Sequence, residues 1–108
     1  MQEFQGLDIL NCPVANVQKI IRGKWTMVII YFLCGKTLRF SQLKRLMPQV
    51  TEANLTKELQ YGLIHREVYR EVPPRVEYSL TEIGSKFIPV LKALEKWARE
   101  YEQQQNKL

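Results

Sequence analysis

What most constrains this chain is a proline at position 48, set between two short helical patterns, with a period-two hairpin close behind. Gln42–Met47 carries Leu43, Leu46 and Met47 on one side, and Ser41 stands where it can cap the start. Pro48 ends this helix, because proline disfavours helical geometry in the residue before it. Thr51 can cap the next helix, whose inner face holds Leu55 and Leu59. Two short helices about a tight, proline-containing connection make a helix-turn-helix. Leu63–Glu71 then mixes the strand formers Leu63, Ile64, Val68 and Tyr69 with charges, and Pro73-Pro74 make a turn. In Arg75–Leu80, Val76, Tyr78 and Leu80 alternate with Arg75, Glu77 and Ser79, the period of a half-buried strand. The expectation is a two-stranded hairpin with a basic tip. A helix-turn-helix followed directly by such a hairpin is the winged-helix plan.

The flanks read as helices. Pro13 takes a first helical position, followed by Val14, Val17, Ile20 and Ile21, until Gly23 breaks the pattern. Trp25–Leu33 is strongly apolar and stops at Gly35. A buried strand is the alternative for such a run; the neighbouring helical patterns and short connections favour a helix. Leu38-Arg39-Phe40 has room only for a turn or brief strand. Thr81 caps a long helix with Ile83, Phe87, Val90, Leu91, Leu94, Trp97, Ala98 and Tyr101 at steps of three and four. Pro89 inside it is expected to remove a hydrogen bond and bend it. Left bare, that stripe would form a large apolar patch. Pairing across a two-fold axis with the N-terminal segment is its expected use. Phe87, Val90, Leu91, Leu94, Trp97 and Tyr101 are the expected dimer interface, within a dimerisation helix over 81–102. The polar tail 103–108 and the first few residues are expected to be flexible. The fold class is mainly α with a small β-hairpin: a winged helix-turn-helix with N- and C-terminal dimerisation helices, in one domain over 1–108.

Composition narrows the function. The 108 residues suit one domain, and 45% hydrophobic with 25% charged residues is an ordinary globular balance. A net charge of +5 favours a polyanionic partner, because Lys and Arg release counterions from phosphate backbones. The longest apolar run, Met27–Leu33, is too short to span a membrane, and Met1-Gln2-Glu3-Phe4 lacks the layout of a signal peptide. A soluble cytoplasmic protein is expected. Two cysteines, no CxxC pair and one histidine leave too few ligands for zinc. No triad, metal cluster or glycine-rich phosphate loop is present, so neither a cofactor nor enzymatic chemistry is expected.

Cys12-Pro13, Arg22-Gly23-Lys24-Trp25-Thr26, Arg39-Phe40-Ser41-Gln42-Leu43, Leu55-Thr56 and Val72-Pro73-Pro74-Arg75-Val76-Glu77-Tyr78-Ser79-Leu80-Thr81 resemble the HxlR-type regulators, compact relatives of the MarR group. The resemblance covers about residues 12–98, and its VPPRVEYSLT string is the most specific part. It implies a bacterial transcriptional regulator acting as a homodimer on a pseudo-palindromic operator in double-stranded DNA. Each recognition helix would lie in a major groove, with each wing beside the adjoining minor groove. The chain departs from the family after Leu59-Gln60. About four residues, one helical turn, are absent before Tyr61, including an apolar position. Either the recognition helix is truncated or the chain as written lacks residues there. The second is favoured, because losing the turn would unpack a helix end and rotate the wing.

On this reading the recognition helix offers Thr51, Glu52, Asn54, Thr56, Lys57 and Glu58 to solvent. Asn54 suits adenine, and Lys57 suits guanine or phosphate. Glu52 and Glu58 repel phosphates and so face away or tune specificity. In the hairpin, Arg66, Arg70 and Arg75 bracket the two prolines, and Arg75 at the tip is the preferred contact to backbone or minor groove. The alternative for these arginines is a charged edge that prevents aggregation. Arg39, Ser41 and Gln42 at the first helix start can hold phosphate. Trp25 is expected in the core, His65 on a strand surface and Cys34 buried. Cys12 precedes Pro13 at a helix start, where amide dipoles favour a thiolate. It is the candidate redox- or electrophile-sensing residue, with an inert buried thiol the equal alternative. The rival function is a winged-helix module that binds protein rather than DNA. Steep weakening by salt would mark DNA.

Overall fold

The computed structural model describes residues 11–106. Helices α1 (Pro13–Ile21) and α2 (Thr26–Phe32) precede a two-residue strand β1 (Leu38–Arg39). The helix-turn-helix is α3 (Phe40–Leu46) and α4 (Glu52–Gln60), and the hairpin is β2 (Ile64–Tyr69) and β3 (Arg75–Leu80). Two helices close the chain, α5 (Glu82–Lys86) and α6 (Ile88–Asn106). One apolar cluster joins all the central elements. Ile29 and Leu33 come from α2 and its end, Leu43 and Met47 from α3 and its end, Val50 from the turn, Leu55 from α4, and Ile64 and Tyr78 from the two long strands. The spacing of Leu43, Leu55 and the strand residues is therefore what holds α4 in place. Trp25 packs half-buried against this cluster, with the Lys24 ammonium 5.2 Å above its ring.

The sheet has three strands, in the order β1-β3-β2, where two were expected. Leu38 pairs with Tyr78 and Arg39 with Glu77, so the brief strand finds the inner edge of the hairpin. This pairing also moves the start of α3. Arg39, extended at φ −78 and ψ 160, is the cap residue in place of Ser41, and Gln42 Oε1 accepts a hydrogen bond from its backbone N–H at 2.8 Å. The strand delivers the chain already extended, so the cap falls where the strand ends.

Three further expectations are corrected at helix ends. Thr81 caps only the five-residue α5, its Oγ1 accepting from Gly84 N at 3.1 Å. The helix breaks at Phe87, and Pro89 sits in the first turn of α6, where a missing N–H costs nothing. Pro89 thus divides two helices rather than bending one. Residues Gln103 to Asn106, expected as flexible tail, complete the last turns of α6. The end of α4, where the chain departs from the family pattern, is fully capped. Gly62, at φ 75, donates to Leu59 O (3.0 Å), and Leu63 N donates to Glu58 O (3.1 Å). This is a Schellman motif, which satisfies the last carbonyls without another turn. The helix end is not left unpacked.

Candidate nucleic-acid interface

Three parts of the surface carry the residues that sequence reasoning selects. The first is α4. Leu55 is buried, Leu59 is half-buried, and Glu52, Ala53, Thr56, Lys57 and Gln60 are exposed together on the far side. Lys44 Nζ donates to Val50 O at 3.0 Å and ties α3 to the turn that feeds this helix.

Four side chains of α4 and its cap differ in what they can offer. Thr51 Oγ1 accepts from Asn54 N (3.2 Å) and donates to Asn54 Oδ1 (2.8 Å), and Thr51 N donates to the same oxygen (2.8 Å). Asn54 is half-buried in this capping box. Its Oδ1 is committed, so it cannot face adenine with both amide atoms while the cap holds; its Nδ2 can still donate. Thr56 Oγ1 donates to Glu52 O at 2.9 Å. Lys57 is exposed with no ion pair among the described residues.

Glu58 is the correction. Expected at the solvent face, it is only 3% exposed. Thr26 Oγ1 donates to its Oε1 at 2.8 Å, and its Oε2 is buried without a hydrogen-bond partner. Burial pushes its carboxyl above the ordinary carboxylate range, against the opposing pull of the Thr26 hydrogen bond and the Lys57 charge. Helical periodicity from Leu55 already places 58 inward and 60 outward. That signal, followed through, also finds Gln60, a further base-reading candidate.

The second part is the start of α3. Arg39, Ser41 and Gln42 are all exposed, and Arg39 has no ion-pair partner among the described residues. Arg45, one turn before Pro48, is exposed on the same short helix and is a cation that the sequence reading passes over.

The third part is the wing. The tip is Arg70 to Pro74, exposed throughout, with Val72 fully so. Arg75 is not at the tip; it opens β3, opposite Tyr69. Its guanidinium lies 4.0 Å from the Tyr69 ring centroid, 3.2 Å from Glu71 and 3.8 Å from Glu77, and its Nε is buried without a partner. Arg66, Arg70 and Arg75 are matched by Glu67, Glu71 and Glu77 along the hairpin. The hairpin is therefore close to neutral in number. Glu71 and Glu77 both pair with Arg75, however, and Glu67 lies against His65. Arg66 and Arg70 thus have no ion pair among the described residues; of the two, Arg70 lies at the tip.

The remaining predicted residues belong to α1, α6 and the ends of α2 and α5. Leu91, expected in a dimer interface, is 5% exposed and belongs to the chain's own packing. Phe87 is half-buried. Val90, Leu94, Trp97 and Tyr101 are 52%, 39%, 59% and 50% exposed, and Val14 and Val17 of α1 are also bare. Trp97 and Tyr101 stack at 5.2 Å. Tyr31 Oη donates to Glu95 at 3.3 Å and Arg99 donates to Glu95 at 2.7 Å, which helps dock α6 on α2. The guanidinium of Arg99 holds the Glu95 carboxyl below its ordinary range. Cys12 is the cap residue of α1, half-buried, its carbonyl accepting from Asn16 N at 2.9 Å. Cys34, expected buried, is half-buried and lines a cavity of about 330 Å³ between α2 and α6. Among the described residues no helix is long and apolar enough to cross a membrane.

This geometry can be set beside known proteins. A family model described as HxlR-like helix-turn-helix matches residues 20–106. The HTH-type transcriptional regulator YdeP of Bacillus subtilis is 39% identical, over 98% of this chain and 86% of its own length. A transcriptional regulator of the MarR family from Porphyromonas gingivalis superposes with a TM-score of 0.78 at 36% identity, covering 92% of this chain and 98% of that one. The redox regulator HypR in its reduced form also gives a TM-score of 0.78, at 33% identity, covering 90% of this chain and all of that one.

Proposed function

The chain belongs to the HxlR-like helix-turn-helix family of transcriptional regulators, and from that premise we propose that it is a sequence-specific, double-stranded DNA-binding homodimer of the cytoplasm. One observation carries the reading. The apolar face of α4 is consumed by the core and its outward face is exposed, and Lys57 on α4, Arg39 at the start of α3 and Arg70 at the wing tip have no ion pair among the described residues. In the major groove, Thr51, Thr56, Lys57 and Gln60 reach base edges, and Asn54 donates from Nδ2. Arg39, Ser41 and Gln42 hold the flanking phosphates and set register. Arg70 carries the wing's charge to the adjoining backbone, while Arg75 supports it from below. The bare faces of α1 and α6 pair two copies across a two-fold axis, which implies a pseudo-palindromic operator. The protein does no chemistry on its DNA and uses no cofactor.

The likeness to HypR supports a redox-responsive reading for Cys12, at the start of the helix that shares the dimer face. Modification there would shift the subunits and with them the two recognition helices.

The test is selection of bound fragments from random duplex DNA, followed by titration at several salt concentrations. Symmetric winners and a steep fall in affinity with salt are expected. Binding that ignores salt, with no duplex preferred, would point to a protein partner instead.

A further inference from the structure

Gly23-Lys24-Trp25-Thr26 marks the family resemblance, yet none of these residues reaches the DNA-facing surface of α4. The structure pairs the last of them with that helix from behind. Thr26 is 3% exposed, at the first position of α2, and its hydroxyl crosses the core to Glu58 at 2.8 Å. Gly23 has the role of leaving room for it. A Cβ at position 23 would run into Thr26 Oγ1, so any larger residue would move the hydroxyl.

We propose that Glu58 is a positioning residue for operator recognition, latched to Thr26 across the helix-turn-helix core so that a buried hydrogen bond sets the rotation of α4. The proposal rests on the DNA-binding reading. Glu58 is held at two points. Its side chain is tied to α2, and its backbone carbonyl accepts from Leu63 N, where the chain enters the wing. Leu55, three residues earlier, is buried on the same side. Apolar packing alone tolerates rotation of a helix by several degrees, because it is not directional. A hydrogen bond is directional, and a buried acceptor left unmade is costly. The side chains on the opposite face of α4, Thr56, Lys57 and Gln60, turn with any rotation that this bond prevents.

The latch also has a second setting. Thr26 from α2 and Lys57 on α4 itself are the polar groups that act on this carboxyl, and Oε2 has no partner to settle its charge. A carboxylate accepts from the Thr26 hydroxyl more strongly than a neutral acid does. The preference for operator over random duplex therefore rises as Glu58 ionises.

The experiment measures, in the full-length protein, affinity for a duplex chosen by selection and for a random duplex of equal length, from pH 4.5 to 8. Thr26→Val keeps the shape and removes the hydroxyl; Thr26→Ser keeps the hydroxyl. T26V is expected to lower the ratio of the two affinities about tenfold. T26S should stay within about twofold of wild type. Glu58→Gln should remove the part of the pH dependence that wild type shows. Should T26V not fold, T26A replaces it. Lower thermal stability with an unchanged affinity ratio in T26V and E58Q would overturn the proposal and leave the pair a packing contact. Wild-type protein that prefers no duplex would overturn it together with the DNA-binding reading. Wild-type preference without an effect of either variant overturns the latch alone.

Discussion

The bare stripe of α6 gives the sharpest test of assembly. Trp97 is 59% exposed and stacks on Tyr101, itself 50% exposed, with Leu94 one turn earlier. An indole of this exposure leaves about 130 Å² open to water. Covering it is worth about 3 kcal/mol at roughly 25 cal/mol per Å². A two-fold interface contains the residue twice, so Trp97→Glu removes up to about 6 kcal/mol and adds two charges to a dry surface. A micromolar dimer is held by about 8 kcal/mol, so the variant should be monomeric at any practical concentration. Sedimentation equilibrium at micromolar protein reads this directly, and circular dichroism checks that the helices persist. Val68→Glu is the control, since Val68 is 51% exposed on the wing and far from the stripe in sequence. Monomeric wild type, or a W97E variant that remains dimeric, would refute the reasoning. Either result would mean that another surface does the pairing, or none.

Three other outcomes follow from individual side chains. Arg70→Ala should lower the slope of log affinity against log salt by about 0.9 for each phosphate that the guanidinium neutralises. Arg75→Ala should leave that slope alone and destabilise the wing by about 1 kcal/mol, through removal of the Tyr69 stack and two ion pairs; equal slopes for both variants would cancel the distinction. Glu58 has a raised carboxyl pKa in the folded protein, so its contribution to stability is complete below 4.5 and is lost as pH rises through the folded value. Urea unfolding should therefore show Glu58→Gln gaining on wild type as pH rises from 4 to 7, and a constant difference would contradict this. Cys12→Ser should bind DNA normally and lose any response to peroxide, whereas Cys34→Ser should keep it; a peroxide response that survives in C12S would move the sensing elsewhere.

Most of the architecture is legible in the sequence because it rests on local signals. Pro48, Thr51, Pro13, Gly35 and the alternation of Arg75–Leu80 each act within a few residues, and the helices and strands stand where those signals put them. The rest depends on pairings between distant residues. Ser41 has no capping role because Leu38 and Arg39 pair with β3, some forty residues away. Glu58 reads as a surface charge until Thr26 arrives across the core. Arg75 reads as a tip cation until the hairpin places Tyr69, Glu71 and Glu77 around it. Counting arginines overstates the wing's charge, because the count ignores where the carboxylates fall. The α4 end is closed by Tyr61-Gly62-Leu63, a local capping signal that stands in the sequence beside the departure from the family pattern.

The hydrogen bonds around Leu63 bear on how such a protein could be regulated. Leu63 N donates to Glu58 O of α4, and Leu63 O accepts from Thr81 N, at 3.1 Å each. Thr81 Oγ1 donates to Gly62 O at 2.6 Å while capping α5. Gly84 of α5 lies so close to the Leu63 carbonyl that a Cβ could not fit between them. The recognition helix, the root of the wing and α5 are therefore tied at one turn, with little freedom to move separately. By contrast, α6 joins this unit across Phe87, and the bare apolar stripe proposed as the dimer face runs along it from Val90 to Tyr101. A displacement at that face would then change the spacing of two rigid reading heads rather than the shape of either. In the proposed dimer the half-sites lie about one helical turn of DNA apart, or a multiple of it, so a small rotation of α6 is expected to alter operator affinity. Regulation by this route predicts altered affinity with unchanged base preference. A signal acting through the Glu58 latch would change the preference itself.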